Sequence, residues 1–149
     1  MKHTPKGSML TEVFLETFKL SGLLITTGDQ LVKELNLTSA RWKILGALIE
    51  GRSSMTVPEI ARTMGQSRQA VQRLANEMAD DRLIESVENP KHQKAKLICI
   101  TDRGRNSYNK VMEKQIPWAN TIAHEIKEAD LESVISTLKF LNSYLGRSS

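Results

Sequence analysis

Thr56-Val57-Pro58-Glu59-Ile60-Ala61-Arg62-Thr63-Met64-Gly65-Gln66-Ser67-Arg68-Gln69-Ala70-Val71-Gln72-Arg73-Leu74-Ala75-Asn76 is the stretch that decides the fold. Thr56 to Glu59 is a capping-box start, with proline tolerated in the first turn of the helix it opens. Val57, Ile60, Ala61 and Met64 form one apolar face, and Gly65 closes the helix. Ser67 then caps a second helix, which the spacing carries to Asp81. Two short helices joined by a tight, Gly-containing turn are the helix-turn-helix signature.

At 100° per residue the second helix divides into two faces. Ala70, Val71, Leu74, Ala75 and Met78 fall on one side and are expected in the core. Gln69, Gln72, Arg73 and Asn76 lie opposite, with Arg68 at the edge and Ser67 at the cap. Gln and Asn amides suit bidentate pairing with adenine, and Arg suits guanine or phosphate. The acids Glu77, Asp80 and Asp81 are held back to the C-terminal end. An ordinary solvated face alternates Glu with Lys instead. An acid-free, amide-rich first half is expected of a helix that presents its N-terminal residues to DNA.

Outward from this core motif, the period shortens. Leu83–Val87 and Lys96–Ile100 read as two short strands, with Asn89-Pro90 supplying turn chemistry between them. Lys91, Lys94 and Lys96 make this hairpin basic, a wing able to lie on phosphates. Upstream, Thr38 caps a helix over Ser39–Glu50 that Gly51 ends. Before it, residues 1–8 read as a polar tail and Met9–Leu35 as a long helix. Leu10, Val13, Phe14, Phe18, Leu24, Ile25, Leu31, Val32 and Leu35 follow helical spacing, whereas Leu15, Leu20 and Leu23 lie off that stripe. A helix that is apolar on more than one side needs more than one partner. Downstream, Thr101 caps a helix to about Lys127, bent near Pro117. Asp130 caps a last helix carrying Leu131, Val134, Ile135, Leu138, Leu141 and Leu145, closed by Gly146. The expected order is α-α-α-α-β-β-α-α: a mainly α fold with a small β-hairpin wing, in a single domain over 1–149.

Composition agrees. The 149 residues carry 40% hydrophobic and 26% charged side chains and a net charge of +4, the profile of a soluble globular chain. Between Gly51 and Arg105, ten Lys/Arg face seven Asp/Glu, so the basic excess sits in the middle third. The longest apolar runs fall far short of a membrane span, and the N-terminus lacks signal-peptide order. With Cys99 as the single cysteine, a reducing cytoplasm is expected. Cys99 falls in a strand and reads as a packed thiol. His3, His92 and His124 show no metal spacing, and no nucleophile–base pair or phosphate loop is present. Neither a metal, a cofactor nor an enzyme activity is expected.

Several spaced motifs together resemble the MarR (multiple antibiotic resistance regulator) family. They are Leu37-Thr38-Ser39-Ala40-Arg41-Trp42-Lys43-Ile44-Leu45, then Met55 to Ala61 followed by Gly65, Arg68, Val71, Arg73 and Leu74. Leu83-Ile84-Glu85, Asn89-Pro90 and Ile100-Thr101-Asp102-Arg103-Gly104 complete the pattern. The resemblance implies a winged helix-turn-helix lobe over 37–105, with 9–36 and 106–149 as dimerisation helices. It also implies a homodimer that binds a pseudo-palindromic double-stranded DNA operator, usually a repressor released by a small aromatic or phenolic ligand. For such a ligand Phe18, Trp42 and Trp118 are candidate pocket residues, each set against an ordinary core role. Two positions depart from the family. His92-Gln93-Lys94 stand where an Asp-Arg-Arg type sequence is common, and Arg82 stands where glycine is usual. The competing reading is a winged-helix module that binds protein and has lost DNA readout.

Overall fold

The computed structural model describes residues 1–91 and 95–147. Its elements are α1 (Pro5–Val32), a 3-10 turn (Lys33–Leu35), α2 (Ser39–Glu50), β1 (Ser54–Thr56), α3 (Val57–Met64) and α4 (Arg68–Asp80). They continue with β2 (Ile84–Val87), β3 (Leu97–Ile100), α5 (Asp102–Ala123) and α6 (Glu128–Gly146). The chain forms two units, Met1–Met112 and Glu113–Ser149, and α5 runs from the first into the second.

In the first unit the caps fall where side-chain chemistry calls for them. Thr38 Oγ1 accepts the Arg41 N–H at 3.2 Å, Thr56 Oγ1 that of Glu59 at 3.3 Å, and Ser67 Oγ that of Ala70 at 3.1 Å. Each satisfies one donor that the first helical turn leaves open. Thr101 serves α5 likewise, accepting from the Gly104 N–H at 3.0 Å while donating to the Arg82 carbonyl at 2.7 Å.

Around these helices the core gathers Val32, Ile44, Leu45, Leu48, Ile60, Val71, Met78 and Val111, all fully buried, with Leu37, Ile84 and Ile98 beside them. Each such side chain contributes about 1.5–3 kcal/mol over remaining in water. The sheet order is β1-β3-β2, all antiparallel. β3 is therefore central: Cys99 stands opposite Ser54 on one side and Glu85 on the other.

Several elements differ from the sequence reading. The long first helix stops at Val32 and passes into the 3-10 turn Lys33–Leu35, α4 stops at Asp80, and β2 and β3 each start one residue later, at Ile84 and Leu97. The first helix begins at Pro5, not Met9, because Thr4 Oγ1 caps the Gly7 N–H at 3.0 Å and Pro5 presets the first turn. Residues 5–8 are thus helical rather than tail. β1 was not anticipated, since a three-residue strand, half-buried at Ser54 and Met55 and buried at Thr56, is too short to carry a readable alternation. α5 ends at Ala123 rather than near Lys127. The last helix starts at Glu128, with Lys127 at the cap position and no side-chain cap bond. Asp130 lies inside its first turn, where its charge complements the helix dipole instead of capping it.

α1 leaves Leu10, Val13, Leu15, Phe18, Leu20, Leu23, Leu24 and Ile25 exposed. In the second unit α6 buries none of its 19 residues, and Val134, Ile135, Leu138, Phe140, Tyr144 and Leu145 are open to solvent. Faces of this size normally mark an association surface.

Candidate nucleic-acid interface

Gly65 makes the turn between α3 and α4. It sits at φ 64°, the left-handed region in which a Cβ is strained, and its N–H closes onto α3 carbonyls. Gln66 donates to the Ala61 carbonyl at 3.0 Å, and Ser67 then opens α4. The turn aims the N-terminus of α4 outward, with no acid in its first turn.

The two faces of α4 separate as the periodicity predicts. Val71, Ala75 and Met78 are buried and Ala70 and Leu74 partly so. Ser67, Arg68, Gln69, Gln72, Arg73 and Asn76 are exposed. Arg68, Gln69 and Gln72 line an open cleft of about 510 Å³ together with Lys96 and Ser86 of the hairpin and apolar Val57, Pro58 and Ile98. The structure thus brings three α4 residues and one hairpin lysine around one space. Arg73 and Asn76 share the exposed face but do not line the cleft. Gln72 Nε2 donates to Asn76 Oδ1 at 2.9 Å across one helical turn.

In the wing, Lys91 is exposed and its backbone N–H bonds Asn89 Oδ1 at 3.0 Å, an Asx turn. Lys94, with His92 and Gln93, lies outside the described residues. Arg82 adopts φ 61°, the left-handed conformation for which glycine is the usual residue. The chain keeps the turn and accepts a strain of about 1 kcal/mol or more.

One residue of the arrangement escaped the sequence reading. Arg41 of α2 reaches Glu77 at 3.5 Å and Asp81 at 2.5 Å. It gives the C-terminal acids of α4 a cationic partner and ties that end of the helix to α2. With both acids about half exposed, the pairs contribute roughly 0–1 kcal/mol. Partners 36 and 40 residues apart leave no local pattern to find.

Of the aromatic candidates, Trp42 packs against the core of the first unit, as the core role requires. Phe18 does not: it is 75% exposed on α1. Trp118 is half-buried in the second unit. A second open cleft, of about 550 Å³, was not anticipated; Asn36, Arg103, Asn106 and Lys110 are among its polar lining. Cys99 is half-buried on β3, where burial and then the Glu85 carboxylate push its thiol pKa upward. It stays protonated near neutral pH and is a poor nucleophile. Among the described residues no three His, Cys, Asp or Glu gather as a metal site. No described helix is long and apolar enough to cross a membrane.

Comparison with known proteins gives this geometry its context. The MarR family model matches residues 35–95. The uncharacterized protein Rv2011c of Mycobacterium tuberculosis is 31% identical over 130 residues, covering 87% of this chain and 90% of the relative. Among solved structures, CouR from Rhodococcus jostii RHA1 bound to p-coumaroyl-CoA superposes with a TM-score of 0.78 at 16% identity, covering 87% of this chain and 91% of that one. The S. aureus MepR–DNA complex gives a TM-score of 0.74 at 18% identity, covering 88% and 96%. Motifs, architecture and relatives agree, and the chain belongs to the MarR family of winged helix-turn-helix transcriptional regulators.

Proposed function

We propose that the chain binds double-stranded DNA in the cytoplasm as a homodimer on a pseudo-palindromic operator. There it acts as a repressor released by a small aromatic or phenolic ligand. The observation that carries the DNA reading is the exposed, acid-free first half of α4, where Arg68, Gln69 and Gln72 share a cleft with Lys96 of the wing. Such a face offers donors and acceptors to base edges and cations to phosphates. The MepR–DNA complex supports the DNA partner, and CouR with p-coumaroyl-CoA supports an aromatic effector, by family kinship. The test is selection of bound duplexes from a random DNA pool, repeated with aromatic acids present. An enriched two-fold sequence that the acid releases is the expected result. A chain that enriches nothing and retains no salt-dependent affinity for random duplex is a protein-binding module instead.

The exposed apolar residues of α1 and of α6 call for a second copy. In light scattering at micromolar concentration the protein is expected to be a dimer, and footprints should show two half-sites about 10 bp apart. A monodisperse monomer contradicts this.

The wing carries lysines and no arginine between Leu83 and Lys96. Lysine is a compact, strongly hydrated cation that suits phosphates, whereas arginine sheds water more readily in a narrow minor groove. Changing Lys91 and Lys94 together to Ala is expected to lower the salt-dependence slope of log K by about 1–2. The ranking of operator variants should stay unchanged. The measurement is made at pH 8, above the ordinary range of an imidazole. A changed flanking-base preference with an unchanged slope would show that the wing reads sequence.

A further inference from the structure

We propose that Gln72 and Asn76 act as one adenine-reading unit, in which Asn76 is a positioning residue that fixes the amide of Gln72. This inference rests on the DNA-binding reading of α4 given above.

The two residues lie one turn apart on the exposed face, and Gln72 Nε2 donates to Asn76 Oδ1 at 2.9 Å. Gln72 also lines the cleft beside Arg68 and Gln69, while Asn76 does not. One residue faces the space where a base edge would enter, and the other holds it from the next turn. A glutamine amide has two N–H donors and one oxygen acceptor. The bond to Asn76 uses one donor, leaving one N–H and the Oε1 lone pairs for a ligand.

That remainder has a definite complement. In the major groove adenine presents the N7 acceptor beside the N6–H donor, so it satisfies both groups that Gln72 has left. Guanine presents two acceptors, N7 and O6. An unpinned glutamine can turn its whole NH₂ toward guanine; a pinned one cannot, and its oxygen then opposes O6. Cytosine offers the N4 donor without a neighbouring acceptor, and thymine offers O4 beside a methyl group. The bond therefore converts a permissive side chain into a selective one. It also restricts rotamers before DNA arrives, which lowers the entropy lost on binding.

The test uses the full chain and a pool of duplexes randomised over the binding site. Wild type, Gln72→Ala, Asn76→Ala and Asn76→Asp are each put through selection, and affinities are then measured on duplexes varied at the affected position. The wild type is expected to enrich an adenine in each half-site, and Gln72→Ala to lose that preference with about a 10-fold or greater drop in affinity. Asn76→Ala should bring adenine and guanine at that position to within about threefold of each other, although its own side chain need touch no base. Asn76→Asp keeps the acceptor for Gln72 Nε2 and adds a negative charge near DNA. It should bind all duplexes more weakly but retain the adenine preference; a preference lost in Asn76→Ala and kept in Asn76→Asp is the contrast that a merely structural role for Asn76 would not produce. Asn76→Ala with the wild-type preference intact overturns the proposal and leaves the DNA-binding reading standing. So does a guanine at the position that Gln72→Ala affects. A wild-type chain that enriches nothing overturns the DNA-binding reading itself, and this unit with it.

Discussion

Gly104→Ala is expected to destabilise the chain by about 2–3 kcal/mol, enough to lower Tm by roughly 4–10 °C in a chain of this size. On helix propensity alone the change should help, since alanine is favoured over glycine by about 1 kcal/mol inside a helix. Packing reverses the sign. Gly104 is buried in the first turn of α5, and a methyl group there would overlap the backbone carbonyl oxygen of Leu83 and lie 2.8 Å from Ile100 Cγ1. The Leu83 oxygen cannot swing aside freely, because it accepts the Thr101 N–H at 3.1 Å and Leu83 is itself buried. Relief therefore requires α5 to move off the start of the hairpin, loosening Val111 from the core. Thermal or urea denaturation of the DNA-free protein measures the effect. An unchanged or raised Tm would mean that the close approach of α5 to Leu83 relaxes without cost.

The second large effect concerns binding rather than folding. Reversing both cations on the exposed face of α4 proposed to contact DNA, Arg68→Glu with Arg73→Glu, is expected to weaken operator binding on the order of 10³-fold near physiological salt. Each substitution removes a cation available to phosphate or guanine and adds a charge that phosphates repel. Both side chains are exposed, so stability should change by only about 0.5 kcal/mol per site. The two outcomes separate cleanly: Tm holds while the anisotropy titration collapses. A double variant that still binds within about threefold of wild type would place the DNA contact elsewhere on the molecule.

How much of this was readable beforehand follows from where the information lies. The faces of α4 were legible because Val71, Ala75 and Met78 recur at the helical period, and burial follows period directly. The caps at Thr38, Thr56, Ser67 and Thr101 were legible because a cap is a local bond, satisfied within three residues. Thr4-Pro5 carried the same kind of signal for α1, but the polar residues around it read as tail. At α6 the reverse held: no side chain caps the start, so Asp130 attracted a role that Lys127 holds through the backbone alone. β1 exists only because β3 pairs with it, register Met55 to Ile98, and nothing within three residues announces a partner that distant. Arg41 with Glu77 and Asp81 is long-range in the same way. For the candidate interface, residue types and their shared face were legible. The cleft shared with Lys96 and the bond from Gln72 to Asn76 required coordinates.

The division of α4 into an inner and an outer set has an evolutionary consequence. Ala70, Val71, Leu74, Ala75 and Met78 hold the helix to the body, whereas Arg68, Gln69, Gln72, Arg73 and Asn76 contribute almost nothing to that hold. The outer five therefore behave as a cassette. Exposed substitutions typically shift stability by no more than about 0.5 kcal/mol, so lineages can drift through many outer sets while the scaffold stays folded. Under the DNA contact proposed above, target choice can diverge after gene duplication without a compensating change in the core, and a designer can transplant five side chains rather than a domain.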